Sequence, residues 1–291
     1  MKGADRMAKR LITAAIGVPI GILIIYLGSL SPHVMSAATD ILSIMAVFEV
    51  LSAARYTKYR SITVLSLLFS ALLPMFFCYD DLRRFAIPVA FLFLIMLFAC
   101  TLMRHKEIRF EDLGFIAFIS ICIPFSISTL AFFCFQFKEH GTFLVVFTLV
   151  TAWIADGGAY FAGTFLGKHK LCPEISPKKT WEGFFGGLIT SVIFAVILGF
   201  GYELWDIITT GEQHFTVNIP ILVGAAVVST FLGLLGDLIA SLLKRQCGVK
   251  DFSEILPGHG GVMDRFDSVL FVAPFIYLLC KGLFPITEII H

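Results

Sequence analysis

Charge is scarce in this sequence. Of its 291 residues only 15% are Asp, Glu, Lys or Arg, against about 25% in an ordinary soluble domain. Disordered chains are rich in charge and poor in aromatics, so this shortage, with 31 Phe beside it, excludes disorder. Seven cysteines contain no C-x-x-C pair, which argues against both a zinc site and a disulfide framework. Internal repeats, low-complexity tracts and a soluble domain are also missing. What is abundant is apolar surface. Hydrophobic residues make up 58% of the chain, mean hydropathy is +0.90, and the 24 glycines raise the apolar share to about two-thirds. A water-soluble globule of this length could not bury so much, which leaves an integral membrane protein.

A membrane-spanning helix needs about 20 predominantly apolar residues, whereas a transmembrane barrel shows short segments of alternating polarity. The sequence has continuous runs. Nine are expected to span, at 11–30, 34–54, 62–79, 85–103, 113–137, 142–165, 184–204, 219–243 and 268–283. The first follows Lys2, Arg6, Lys9 and Arg10 like a secretory signal, but its apolar stretch exceeds a cleavable core and is read as a retained helix. Short cytoplasmic loops carry an excess of Lys and Arg. With the N-terminus inside, 18 of the 22 basic residues fall on the cytoplasmic side; Arg83, Arg84, Lys138 and Lys281 fall on the other. The expected fold is therefore an all-α polytopic bundle with N-terminal spans over 1–140 and a catalytic region over 141–291. The formal net charge of +1 conceals this sorting.

The two longest cytoplasmic loops, about 166–183 and 244–267, collect Gly, Pro, His and carboxylates as well as cations. Three of the carboxylates within spans stand out, since a charge there costs about 2.5–3.5 kcal/mol at mid-helix. Glu49 precedes Arg55 by about a turn and a half; a helix-end acid, paired locally or solvated, and a catalytic acid both fit it. Asp156 lies among small residues, with Gly157, Gly158, Ala159 and Gly163 close behind, which permit near approach of helices and a polar cavity. Asp237 is seven residues before Lys244, hence about 10 Å below the basic surface. The next loop re-enters the membrane at Asp264, so Asp237 and Asp264 are expected at similar depth on consecutive helices. Two such acids either share a cation, for which Mg²⁺ is suited, or each pair separately with Lys or Arg.

Between them, Lys244, Arg245 and Lys250 accompany Gly258, His259, Gly260 and Gly261. Glycines let successive amides converge into a concavity for phosphate oxygens, and the cations neutralise the remaining charge. His259 fits a phosphate donor or an ordinary turn residue. Lys178 and Lys179 in the other long loop suit a phosphate or the anionic membrane surface. A Walker-type G-x-x-x-x-G-K-[ST] is absent.

The signature S-x-x-K-R-x₄-K-D-x₅-P-G-H-G-G-x-x-D-R-x-D reads without a gap through Ser241, Lys244, Arg245, Lys250, Asp251, Pro257, Gly258, His259, Gly260, Gly261, Asp264, Arg265 and Asp267. On these residues the chain resembles the phosphatidate cytidylyltransferase family, the CDP-diacylglycerol synthases. Asp156 to Gly163 and Ser176 to Gly183 resemble further family motifs, so the likeness covers about half the chain, from residue 150 on. It implies nucleotidyl transfer, CTP + phosphatidate → CDP-diacylglycerol + pyrophosphate, with Mg²⁺ held by Asp237 and Asp264. Lys244, Arg245, Lys250 and Arg265 would screen phosphates, with Asp251 in the same catalytic group. Asp156, Lys178, Lys179, Ser241, Gly258, His259, Gly260, Gly261 and Asp267 would line the substrates. This many carboxylates leave room for a second, monovalent cation. The resemblance also implies a homodimer in a bacterial cytoplasmic membrane, its site facing the cytoplasm, with no nucleic-acid partner.

Two other classes compete. A CTP-dependent lipid or polyprenol kinase would share the bundle but release CDP. An ion-coupled transporter would place its acids at the midplane, whereas these crowd one end. The D-G-x₂-A-R-x₈-G-x₃-D-x₃-D motif of CDP-alcohol phosphotransferases is missing.

Overall fold

The computed structural model describes residues 2–255, 258 and 260–289. The chain is a polytopic helical membrane protein. Every expected apolar run falls on a helix: α1 (Lys2–Leu30), α2 (Pro32–Ala53), α3 (Arg60–Cys78), α5 (Ala86–Met103), α6 (Phe110–Gln136), α7 (Gly141–Leu166), α8 (Trp181–Thr210), α9 (Ile219–Gln246) and α11 (Val269–Gly282). The remaining α-helices among the described residues, α4 (Asp80–Arg83) and α10 (Met263–Phe266), are single turns, and two short 3-10 helices lie at Tyr56–Lys58 and Lys138–His140. Six helical stretches among the described residues are long and apolar enough to cross a bilayer; 15–30, 60–76 and α11 are shorter. At 14 residues α11 reaches only about 21 Å of a ~30 Å hydrocarbon core. Large side chains such as Ile87, Met103, Phe165 and Ile208 point outward, as a lipid environment requires.

Two compact units emerge. The first comprises Met1–Thr142 and Leu243–Phe266. Its centre is α2 packed on α6 and α3, with α5 against α3 and α1 against α2. Val47, Val50, Leu51, Ile62, Ile116 and Ile127 are fully buried there. Phe69 and Phe93 stack at 4.1 Å between ring centroids. Hydroxyls in this apolar core return to their own helix: Ser43 Oγ donates to the Thr39 carbonyl and Ser70 Oγ to that of Ser66, both at 2.7 Å. Helix ends follow local chemistry. Pro32 opens α2 after an extended Ser31, and the Asp112 carboxylate accepts the Arg109 amide at the start of α6. At one end of the unit the Tyr59 hydroxyl donates to the Glu107 carbonyl at 2.9 Å, tying together the α2–α3 and α5–α6 connections.

The second unit comprises Phe143–Leu242 and Asp267–His291. Thr180 caps α8 by accepting the Gly183 amide at 3.1 Å, and Gly211 ends that helix at φ +87°. Two antiparallel ribbons, which hydrophobic periodicity did not indicate, join the helices. Strand β1 (Lys170–Cys172) pairs with β2 (Ser176–Thr180) inside the long loop before α8. Strand β3 (Phe215–Val217) pairs with β4 (Ile286–Glu288), bringing the α8–α9 connection to the segment after α11.

Candidate active site

In the second unit, β2 runs directly into the N-cap of α8, and this continuity fixes Lys178 and Lys179 immediately before a helix start. Glu182 secures the junction. Its carboxylate accepts from the His169 backbone N–H at 3.2 Å and meets His169 Nδ1 at 2.6 Å. A cavity of about 290 Å³ lies beside it, lined by Asp156, Tyr160, Lys178, Lys179, Thr180 and Asp237 among others. Four residues singled out in the sequence therefore share one cavity: an acid from α7, two cations from β2 and an acid from α9. Lys179 Nζ is 2.5 Å from Asp237 Oδ2, and Ser241 Oγ donates to Asp237 Oδ1 at 3.3 Å. Close approach of α9 to the start of α11 is required at Gly236, where a Cβ would collide with the Asp267 carbonyl. Asp267 is buried, and its Oδ1 accepts the Ser268 amide at 2.8 Å.

The first unit contains most of the signature loop. Lys244, in the last turn of α9, places Nζ 2.7 Å from Asp264 Oδ1, with side chains 13% and 3% exposed. Asp264 Oδ2 accepts the amides of Phe252 and Gly261, each at 2.9 Å. The glycine-rich turn is thus organised around an internal carboxylate. Gly260 sits at φ +84°, a conformation that favours glycine, and Gly258 at φ +78°. Arg245, Lys250, Asp251 and Arg265 are exposed. His259 and the neighbouring Pro257 lie outside the described residues.

Glu49, whose sequence position fitted both a helix-end acid and a catalytic acid, belongs to this constellation. It is 1% exposed. Its Oε1 accepts from Ser253 Oγ at 2.7 Å and the Val262 amide at 2.9 Å, and Oε2 accepts the Met263 amide at 2.8 Å. The available signal was an acid near the end of an apolar run; its partners, more than 200 positions away, gave none.

Each acid of the expected metal pair has a lysine partner, the second of the two arrangements the sequence allowed. The donor chemistry still suits Mg²⁺, which takes one or two carboxylates and completes its shell with water and substrate oxygens. Asp237 is 28% exposed on a cavity that Asp156 also lines. No cluster of three or more His, Cys, Asp or Glu side chains able to hold a metal occurs among the described residues. The residues fit an ion completed by substrate and do not form an all-protein cage.

A helical membrane bundle with two acids and two lysines on a largely apolar cavity defines a class: membrane enzymes handling anionic substrates. Residues 8–283 match the cytidylyltransferase family, and the chain belongs to that family. It is 33% identical over 292 aligned positions to a phosphatidate cytidylyltransferase of Bacillus subtilis, covering 94% of this chain and 97% of that protein. A phosphatidate cytidylyltransferase of Staphylococcus haemolyticus is 36% identical over 188 positions, 63% of this chain and 65% of that one. Another from Haemophilus influenzae is 43% identical over 136 positions, 47% of this chain and 45% of its own length.

Proposed function

We propose that this chain catalyses CTP + phosphatidate → CDP-diacylglycerol + pyrophosphate. The observation that carries the reading is the cavity of the second unit, where Lys178 and Lys179 stand opposite Asp156 and Asp237 among apolar helices. That cavity offers a lipid phosphate and a soluble nucleotide one meeting place with charged groups in a largely apolar wall. Phosphatidate's phosphate is already an anionic nucleophile, so the step needs charge neutralisation and in-line alignment more than a strong base. One phosphate oxygen bonds to the α-phosphorus of CTP while the bond to the bridging oxygen of the β-phosphate breaks, and pyrophosphate departs with that electron pair.

Lys178 and Lys179 serve substrate phosphates, and Lys244, Arg245, Lys250 and Arg265 screen the triphosphate. Asp237 and Asp264 are the carboxylates proposed for Mg²⁺. When bound, this ion supplies charge neutralisation to the substrate oxygens and the leaving group. Asp156 lines the same cavity, and a second, monovalent cation among these carboxylates belongs to the proposal. The distribution of basic residues supports nine spans with a cytoplasmic N-terminus and a site facing the cytoplasm, and the bacterial relatives support an inner-membrane location in a bacterium. A homodimer completes the proposal.

The test uses purified protein with phosphatidate, Mg²⁺ and CTP labelled separately in its α- and γ-phosphates. The α-label is expected in chloroform-soluble lipid and the γ-label in pyrophosphate. Transfer of γ-label to lipid would replace this reading with a kinase. Solute uptake by vesicles lacking CTP would favour a transporter.

A further inference from the structure

Glu49 takes no part in the chemistry proposed above, yet it is a buried carboxylate among apolar side chains. Val47, Val50 and Leu51 of the same helix are fully buried, and an apolar residue would serve packing there equally well. A carboxylate differs in its acceptors. Gly261, Val262 and Met263 present three consecutive amides as the chain enters α10, where backbone donors have no helical partner. Asp264 takes the first of these amides, and Glu49 takes the other two. A Cβ on Gly261 would collide with the Glu49 carboxylate and displace it from these amides. Because α10 carries Asp264 and Arg265, the conformation of this turn determines whether Asp264 reaches Lys244.

We propose that Glu49 is a positioning residue for the signature loop, clamping residues 261–263 from α2 so that Asp264 is presented in its working orientation. The proposal rests on the reaction assigned above to Asp264 and Lys244. Glu49→Gln preserves size but turns an amino group toward one backbone N–H. In the purified full-length protein this variant is expected to lower kcat about 10- to 100-fold, as small misplacements of reacting groups do, with the KM for phosphatidate within about twofold. Hydrogen exchange at amides 261–263 should accelerate while the cores of α2 and α6 keep wild-type protection. Ser253→Ala removes the hydroxyl donor, leaves both amide bonds, and should stay near wild-type kcat.

Wild-type kcat in Glu49→Gln would overturn the proposal. Unchanged exchange at 261–263 would also overturn it, as would equal loosening of α2 and α6 or an equal kcat loss in Ser253→Ala. Failure of the wild-type protein to form CDP-diacylglycerol would instead overturn the assigned reaction, while the exchange readout would still judge the clamp.

Discussion

Lys179 Nζ stands 2.5 Å from Asp237 Oδ2, joining a two-stranded ribbon to the C-terminal half of an apolar helix. The two side chains are 20% and 28% exposed, so water still reaches the pair. Each group neutralises the other in the absence of substrate. Under the proposed reaction an arriving phosphate would compete for the lysine and free the carboxylate for a cation, which would make substrate and ion mutually supportive at one cavity.

Asp237→Asn should therefore lower kcat about 10²- to 10³-fold, the usual cost of removing a group that stabilises developing charge. Lys179→Met should chiefly raise the KM of its phosphate-bearing substrate. Steady-state rates with CTP and phosphatidate varied independently separate these effects. Thermal unfolding of the two single variants and their combination provides a control. If each single change strands a partly buried charge, the double variant should be less destabilised than the sum of the two.

The Lys244–Asp264 pair is more deeply buried and should respond more strongly. Asp264→Asn leaves Lys244 without its carboxylate and weakens acceptance of the Phe252 and Gly261 amides. Breaking a buried pair costs about 3–5 kcal/mol, so a clear fall in the unfolding midpoint should accompany loss of turnover. Lys244→Met leaves both amide bonds intact and should be the milder change. Unfolding in detergent, followed by intrinsic fluorescence, ranks the two.

Apolar runs were legible because membrane helices are selected for continuous hydrophobicity, and each run expected to span falls on a helix. Asp156 and Asp237 stood out because an acid in such a run is costly, and they line the same cavity. Pairings between distant segments were not legible. Nothing near Phe215 announces Ile286 as its neighbouring segment, and nothing near Glu49 announces Val262. Both depend on backbone hydrogen-bonding groups, which every residue has. The glycines at 258–261 suggested amides free for phosphate, but the Gly261 amide is taken by Asp264, a choice that composition cannot express.

Tyr56 provides a pH test outside the spans. Burial, followed by its hydrogen bond to Asp112 at 2.5 Å, pushes its phenol above the ordinary value of about 10. The folded form thus holds this proton more tightly than the unfolded chain. The associated stability is complete below pH 10 and declines as pH rises beyond it. Tyr56→Phe should remove that component of alkaline destabilisation and cost about 1–3 kcal/mol at neutral pH through the lost charge-assisted bond. Absorbance titration of tyrosinate, compared between wild type and variant, isolates the residue.

Two native thiols test topology and burial together. Cys172, in β1, and Cys247, just after α9, should both lie on the cytoplasmic side if the basic residues report orientation correctly. Burial pushes the Cys247 thiol up, so it is mostly protonated at neutral pH and a poor nucleophile. A membrane-impermeant maleimide should label neither thiol in sealed right-side-out vesicles. In inverted vesicles it should label Cys172 readily and Cys247 slowly, with the Cys247 rate still climbing above pH 8.5, where an ordinary thiol begins to level off. Peptide mass spectrometry distinguishes the two sites. Labelling of Cys172 from the outer face would reverse the orientation, whereas equal rates at both thiols would remove the burial argument for Cys247 alone.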